Sequence, residues 1–185
     1  ETDIEITGVA YDSRRVEEGS LFICIRGAVS DGHAYAADAV RKGAAALVIQ
    51  EEVEVPEGAA VIRVEDSRYA LALISAAWFG YPARKLKTIG VTGTKTTTTY
   101  MIQSILEAAG HKVGLIGTIE CITGKRVLSA ENTTPESYLV QEYFAEMVEA
   151  GCDCAVMEVS SQALMMHRVA GVTFDYGIFT NIEPD

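Results

Sequence analysis

The chain has no run of about 18 apolar residues, the length a helix needs to cross a bilayer, although 49% of its 185 residues are apolar. A membrane span is therefore not expected. It also lacks a basic excess: 15 Lys and Arg stand against 26 Asp and Glu, a formal net charge of −11. A surface that grips a nucleic-acid backbone needs the opposite sign, so nucleic acid is not an expected partner and any anionic ligand must be met by a local basic pocket. Cysteine is sparse. Cys24, Cys121, Cys152 and Cys154 do not have zinc-site spacing, and three lie in apolar, strand-like surroundings that mark them as buried thiols. No internal repeat or low-complexity segment is present, and the opening Glu1-Thr2-Asp3-Ile4-Glu5 is acidic rather than signal-like, which gives a cytoplasmic expectation.

What is present alternates. Strand-like segments at Ile4 to Ala10, Leu21 to Ile25, Ala45 to Ile49 and Ala60 to Val64 are interleaved with helices over about Tyr35 to Lys42 and Ser67 to Phe79. The second helix is expected to turn Leu71, Ile74, Ala77 and Trp78 toward a core. This unit stops at Gly80-Tyr81-Pro82, and Arg84-Lys85-Leu86-Lys87 reads as a linker, which puts a domain boundary near residue 84. A second alternation follows. It comprises a strand from Lys87, a helix to about Ala109, a strand at Lys112 to Gly117, and a hairpin expected to turn at Thr123-Gly124. A helix from about Glu136 to Ala150 with the stripe Leu139, Tyr143 and Met147 comes next, then strands at Ala155 to Val159 and Phe174 to Thr180. Strands separated by helices imply an α/β fold with parallel pairing.

The most informative segment is Thr92-Gly93-Thr94-Lys95-Thr96-Thr97-Thr98-Thr99, which follows a short apolar strand and opens a helix carrying Met101, Ile102, Ile105, Leu106 and Ala109. Backbone N–H groups at such a junction face phosphates. Lys95 is suited to neutralise phosphate charge and Thr96 to offer a hydroxyl to Mg²⁺. The spacing departs from G-x-x-x-x-G-K-[ST], since Thr94 stands where a glycine should precede the lysine. The loop is either shortened or two residues are missing from it, and the second is the expectation.

Glu158 closes the apolar run Ala155-Val156-Met157 and should project from a strand tip beside this loop, where a carboxylate can hold Mg²⁺. Ser160, Ser161, Gln162, His167 and Arg168 follow it. Arg168 is either a partner for a substrate carboxylate or phosphate or a solvated helix-end residue, and His167 reads as structural. In the first unit Tyr11-Asp12-Ser13-Arg14-Arg15 is either a capped polar turn or a contact for a phosphorylated ligand. Asp31-Gly32-His33 reads as a turn into a helix. The ending Asn181-Ile182-Glu183-Pro184-Asp185 falls where ligands bind in open α/β sheets, and truncation is expected there.

Taken together, Tyr11-Asp12-Ser13-Arg14, Gly19-Ser20-Leu21-Phe22, Asp31-Gly32-His33, Gly90-Val91-Thr92-Gly93-Thr94, Asn132-Thr133-Thr134-Pro135, Met157-Glu158-Val159-Ser160-Ser161 and Phe179-Thr180-Asn181 resemble the Mur ligase family of ATP-dependent amide-forming enzymes. The likeness covers nearly the whole chain and is strongest to the branch that adds the third amino acid of the peptidoglycan stem peptide. It implies a UDP-substrate domain over residues 1–84 and the first, incomplete part of a P-loop ATPase domain over 85–185. It also implies UDP-N-acetylmuramoyl-L-alanyl-D-glutamate, ATP and an amino acid as ligands, with Mg²⁺.

Carried over, Lys95 and Glu158 are the catalytic pair, while Gly93, Thr94, Lys95, Thr96 and Thr97 bind ATP and Thr96 and Glu158 hold the metal. Ser13 contacts the uridine-diphosphate part, and Asn132, Thr133, Thr134, Ser160 and Arg168 hold the muramoyl-peptide. The family's loop reads Thr-Gly-Thr-Asn-Gly-Lys-Thr, so the Asn-Gly pair is absent between Thr94 and Lys95. Gln162 replaces a common histidine, and the family continues past Asp185 with further catalytic residues and a C-terminal domain. Two other readings remain, a folylpolyglutamate synthase-like ligase and a nucleotide-sugar-binding module without ATPase function.

Overall fold

The computed structural model describes residues 3–27 and 30–182; the expectations placed on Glu1-Thr2 and on Glu183-Pro184-Asp185 lie outside them. The chain packs as two compact units, 1–71 and 72–185. Among the described residues no helix is long and apolar enough to cross a membrane.

In the first unit, strands β1 (Gly8–Ala10), β2 (Ser20–Ile23), β3 (Ala46–Ile49) and β4 (Ala60–Arg63) form a parallel sheet in that order. The two inner strands are buried at every position, as expected of parallel strands covered on both faces. Phe22, Cys24, Leu47 and Ile49 form the core with Ala36 and Ala39, the last two supplied by helix α1 (Ala36–Arg41). The strand expected over Ile4 to Ala10 pairs only at Gly8–Ala10. Upstream of it the Thr7 amide and hydroxyl go instead to the carbonyls of Gly19 and Glu18.

The division between units falls within helix α2 (Ser67–Trp78). Its buried residues are Ser67, Leu71, Ala72, Ser75 and Ala76. Of the expected inward residues, Leu71 is buried and Ile74 half-buried, whereas Ala77 and Trp78 are exposed. The stretch expected to be a linker is structured: Pro82–Lys85 is a 3₁₀ turn, Ala83 and Leu86 are buried in the core of the second unit, and Lys87 opens a strand.

The second unit is built on strands β5 (Lys87–Thr92), β6 (Val113–Ile116), β7 (Glu120–Ile122), β8 (Val127–Ser129), β9 (Cys154–Glu158) and β10 (Tyr176–Phe179), in the order β10-β5-β9-β6-β7-β8. The first four in that order are parallel, and the hairpin β7–β8 continues the sheet antiparallel to β6. Its turn contains Thr123-Gly124, as expected, with Gly124 at a positive φ of 79°. Alternation along β9 sends Ala155 and Met157 to one face, against Val140, Phe144 and Met147 of helix α4 (Ser137–Glu149). Cys154 and Val156 go to the other, where Ile102 and Leu106 of helix α3 (Thr96–Ala108) pack.

Both helix stripes differ from expectation. On α3, Met101 and Ile105 are 60% and 65% exposed while Thr99 and Gln103 are buried. The Thr99 hydroxyl is satisfied by the Thr96 carbonyl at 2.8 Å, which removes the cost of burying it. On α4 the buried line is Ser137, Val140, Gln141, Phe144 and Met147; of the expected stripe, Met147 lies on it and Leu139 and Tyr143 are half-buried.

All four cysteines are free and buried, and burial pushes the Cys24 thiol from 9.0 up to about 12. Unfolding lets that thiol ionise earlier, so its contribution to stability is whole below about pH 9 and is lost as pH rises toward 12, by up to about 1.4 kcal/mol per pH unit. Ellman titration at pH 8 should therefore detect essentially no thiol in the folded protein and all four once denaturant is added. Rapid native labelling would show that these side chains are accessible.

Candidate functional site

The site forms at the carboxyl ends of β5, β9 and β10, where open parallel sheets bind ligands. β5 ends at Thr92 and α3 begins at Thr96, so Gly93, Thr94 and Lys95 alone make the turn. Gly93 has φ +91°, and a Cβ there would stand 2.6 Å from Asn181 Oδ1, so only glycine suits the position. The Thr94 amide donates to Asn181 Oδ1 at 2.6 Å. The Thr180 hydroxyl lies 3.1 Å from the Thr92 carbonyl and 3.2 Å from that of Thr94. One amide that a phosphate cradle would use is thus taken by the end of β10. Lys95 occupies the N-cap position of α3 without a side-chain capping bond, and its Nζ is 3.5 Å from the Gly93 carbonyl, at the outer limit of a hydrogen bond. Thr97 is exposed on the first turn.

Glu158, the last residue of β9, is fully buried. It sits there because β9 lies between β5 and β6, with Val91 of β5 in register beside it. Its Oε2 accepts hydrogen bonds from the hydroxyls of Thr96 at 3.0 Å and Thr118 at 2.9 Å, and Oε1 accepts the Thr118 amide at 3.0 Å. Gly117 makes room for it: a Cβ at that position would stand 2.7 Å from Oε1. A glutamate at a strand end is ordinarily solvated, and this one is not.

Around Glu158 a second layer forms. The Thr134 hydroxyl donates to the Glu158 carbonyl at 2.8 Å and accepts the Ser160 amide at 3.1 Å. The Ser160 side chain caps helix α5 (Ser161–Met165) by accepting the Ala163 amide at 3.1 Å. Arg168 Nη1 donates to the Thr134 carbonyl at 3.0 Å, its Nε is 3.8 Å from Glu136 Oε2, and that Nε is buried without a hydrogen-bond partner. Arg168 is therefore not a solvated helix-end residue. Thr133 reaches Thr118, hydroxyl to hydroxyl at 3.1 Å, and Asn132 is exposed on the same loop. A cavity of about 540 Å³ beside the turn is lined by Gly93, Thr94, Lys95, Ser160, Gln162 and Asn181, among others.

Thr96, Glu158, Thr133, Thr134, Ser160 and Arg168 are thus joined, through Thr118, in one local network of hydrogen bonds, while the Lys95 side chain reaches the Gly93 carbonyl instead. The sequence reading missed Thr118 and the role of Asn181. Both lie just past strand ends without a local motif of their own, and only the pairing of distant segments exposes them. Among the described residues no group of three or more His, Cys, Asp and Glu forms a ready-made metal cage. A buried carboxylate beside a threonine hydroxyl fits a hard divalent cation that takes its remaining oxygens from phosphates and water.

Ser13 lies in the first unit, in a 3₁₀ turn (Ser13–Arg15) capped by Asp12. Arg14 donates to Asp12 through Nε and Nη2, and this bond holds the Asp12 carboxyl down at about 2. Of the two readings of this turn, the capped one describes its local geometry. It nevertheless borders a cavity of about 500 Å³ lined by Ser13, Asp12, Arg14, Tyr11, Phe22 and Tyr35, among others. His33 is structural: its Nδ1 is 2.6 Å from Asp31 Oδ1 and its Nε2 accepts the Gln50 amide at 3.1 Å.

The Mur ligase middle domain matches residues 91–185, and the Mur ligase family catalytic domain matches residues 5–79. The chain belongs to the Mur ligase family. It is 48% identical over 183 residues to the UDP-N-acetylmuramoyl-L-alanyl-D-glutamate--2,6-diaminopimelate ligase of Clostridium perfringens, covering 98% of this chain and 38% of that one. To the ligase of the same name from Clostridioides difficile it is 46% identical over 187 residues, covering 100% of this chain and 38% of the relative.

Among solved structures, a UDP-N-acetylmuramoyl-L-alanyl-D-glutamate--2,6-diaminopimelate ligase superposes with a TM-score of 0.80 at 23% identity, covering 97% of this chain and 37% of that one. The MurF ligase of Thermotoga maritima, in complex with ADP, gives 0.57 at 21% identity, covering 95% and 37%. At these identities the superpositions establish the fold. The Mur ligase chain described here spans a little over a third of the length of the relatives it matches, 38% for the first two.

Proposed function

We propose that this chain supplies the UDP-substrate domain and the first part of the ATPase domain of a ligase that extends UDP-N-acetylmuramoyl-L-alanyl-D-glutamate by one amino acid. The names of the relatives favour 2,6-diaminopimelate as that amino acid, with the reaction running in the cytoplasm. The functional division proposed is 1–84 and 85–185, supported by family matches that end at 79 and resume at 91.

The observation that carries the reading is the buried Glu158 carboxylate bonded to Thr96 at 3.0 Å, at the foot of a glycine turn and a helix start. Thr96 and Glu158 would hold Mg²⁺, which when bound screens the charge of the nucleotide phosphates. Lys95 would carry its ammonium to the same phosphates, with Gly93, Thr94 and Thr97 contributing backbone around them. Thr133, Thr134, Ser160, Arg168 and Asn132 would orient the muramoyl-peptide, and Ser13 the uridine diphosphate. ATP would phosphorylate the free carboxylate of the substrate, and the incoming amine would displace phosphate as the amide forms. The protein's part is alignment of two anionic partners and neutralisation of their charge.

One observation favours the alternative of a binding module without ATPase function: the Thr94 amide is already engaged by Asn181. Thermal unfolding with UDP-N-acetylmuramoyl-L-alanyl-D-glutamate and with MgATP, added separately, decides between them. The ligase reading expects each to raise Tm, since a ligand of the folded state at 100 times its Kd adds about 2.7 kcal/mol. A shift with the UDP-sugar peptide alone would support the binding module, and no shift with either would overturn both.

A further inference from the structure

Thr118 takes no part in any role assigned above, yet it makes two of the three side-chain hydrogen bonds received by Glu158: its amide goes to Oε1 and its hydroxyl to Oε2. It belongs to no strand or helix, it follows Gly117 just past the end of β6, and it is exposed to solvent. Packing therefore does not explain these contacts. A threonine has one hydroxyl hydrogen and a carboxylate only accepts. The Thr118 hydroxyl must then give its hydrogen to Glu158 and accept one from Thr133, 3.1 Å away. A directed line of donors runs from Thr133 through Thr118 to Glu158.

We infer that Thr118 is a positioning residue that fixes the Glu158 carboxylate for a divalent cation and ties it to the Thr133-Thr134 segment. The inference rests on the nucleotide reading of the site given above. Thr96 and Thr118 share Oε2, and their consequences differ. The Thr96 hydroxyl can offer a lone pair to a cation and still give its hydrogen to Glu158. The Thr118 amide and hydroxyl have no such second duty and serve only to set the orientation of the carboxylate. Thr134 holds the same residue from behind, through the Glu158 carbonyl at 2.8 Å. Both ends of Glu158 are in this way fastened to one loop, so a ligand that moves Thr133 moves the metal carboxylate as well. A partner of this kind sets ligand orientation without touching the metal, and its loss ordinarily costs 10- to 100-fold in metal affinity.

The test is calorimetric titration with ADP, with and without Mg²⁺, of the parent chain, Thr118→Val and Thr118→Ser. Valine keeps the shape and the amide and removes the hydroxyl; losing its bond to the buried carboxylate should lower Tm, so Tm is measured alongside affinity. The expected result is an ADP affinity about 10-fold weaker for Thr118→Val in Mg²⁺, equal affinities without Mg²⁺, and recovery in Thr118→Ser. Equal affinities of Thr118→Val and parent in Mg²⁺ would overturn the inference and leave the nucleotide site standing. A loss of the same size with and without Mg²⁺, unrescued by serine, would overturn it as well, because that marks a purely structural contact. Absence of ADP binding by the parent would overturn the nucleotide reading, and the inference with it.

Discussion

Glu158→Gln should lower the Mg²⁺-dependent affinity for ADP about 100-fold, a loss of about 2.7 kcal/mol, while changing metal-free binding little. The substitution keeps the volume and removes the charge that a hard cation requires. It also disturbs the donors around the side chain. Glu158 accepts on both oxygens, from Thr96 and Thr118 on Oε2 and from the Thr118 amide on Oε1. An amide presents one acceptor and one donor group, so either the Thr118 amide or the two hydroxyls meets an N–H. The hydroxyls can rotate to accept and the amide cannot, so the better orientation faces the oxygen to the Thr118 amide, and what is lost is the charge assistance of these bonds. A stability loss of about 1–3 kcal/mol is expected. Urea unfolding and calorimetry on the same sample separate the two effects. A variant that unfolds more easily but binds MgADP like the parent would remove Glu158 from the metal site.

Inserting Asn-Gly between Thr94 and Lys95 should raise the affinity for ADP about 10- to 100-fold, or about 1.4 to 2.7 kcal/mol. With three residues between β5 and α3, and the Thr94 amide donated to Asn181, the turn has few free amides to offer a phosphate. Each amide directed at a charged oxygen makes a charge-assisted hydrogen bond. A longer turn adds such donors and moves Lys95 relative to the strand end. Asn181→Ala provides the control, since it frees the Thr94 amide without lengthening the turn, and should recover a smaller part of the gain. Unchanged or weaker binding after the insertion would mean that the short turn is already competent and that the missing pair is not what limits affinity.

These expectations depend on features that differ in how far the primary structure reveals them. The strand, glycine turn and helix around Gly93 and Thr96 are legible because each carries a local signal: an apolar run, a residue able to take φ +91°, and a run of residues suited to a helix start. The same holds for Glu158, a lone acid ending an apolar strand, and for the hairpin turning at Thr123-Gly124. The helix faces were not legible. A periodic pattern gives the repeat of a helix but not which side meets the sheet, and Met101 and Ile105 satisfy the period as well as Ile102 and Leu106 do. The charged stretch after Tyr81 misled because its three small or apolar members, Pro82, Ala83 and Leu86, are buried while the lysines and arginine stay in water.

Local chemistry along the chain was sufficient to determine an α/β protein with a phosphate-loop-like turn and an acidic partner for it, while the family entered through the resemblance of its motifs and the family matches. Propensity, alternation and motif spacing all act over a few residues and need no knowledge of distant neighbours. Tertiary structure alone decided that Glu158 is buried, that Thr118 and Thr96 share its Oε2, that Thr133 stands behind Thr118, and that Asn181 occupies the Thr94 amide. These contacts join residues up to 87 positions apart. They exist because the sheet order β10-β5-β9-β6 places the ends of four strands side by side, an arrangement set by burial of the whole apolar core rather than by any segment on its own.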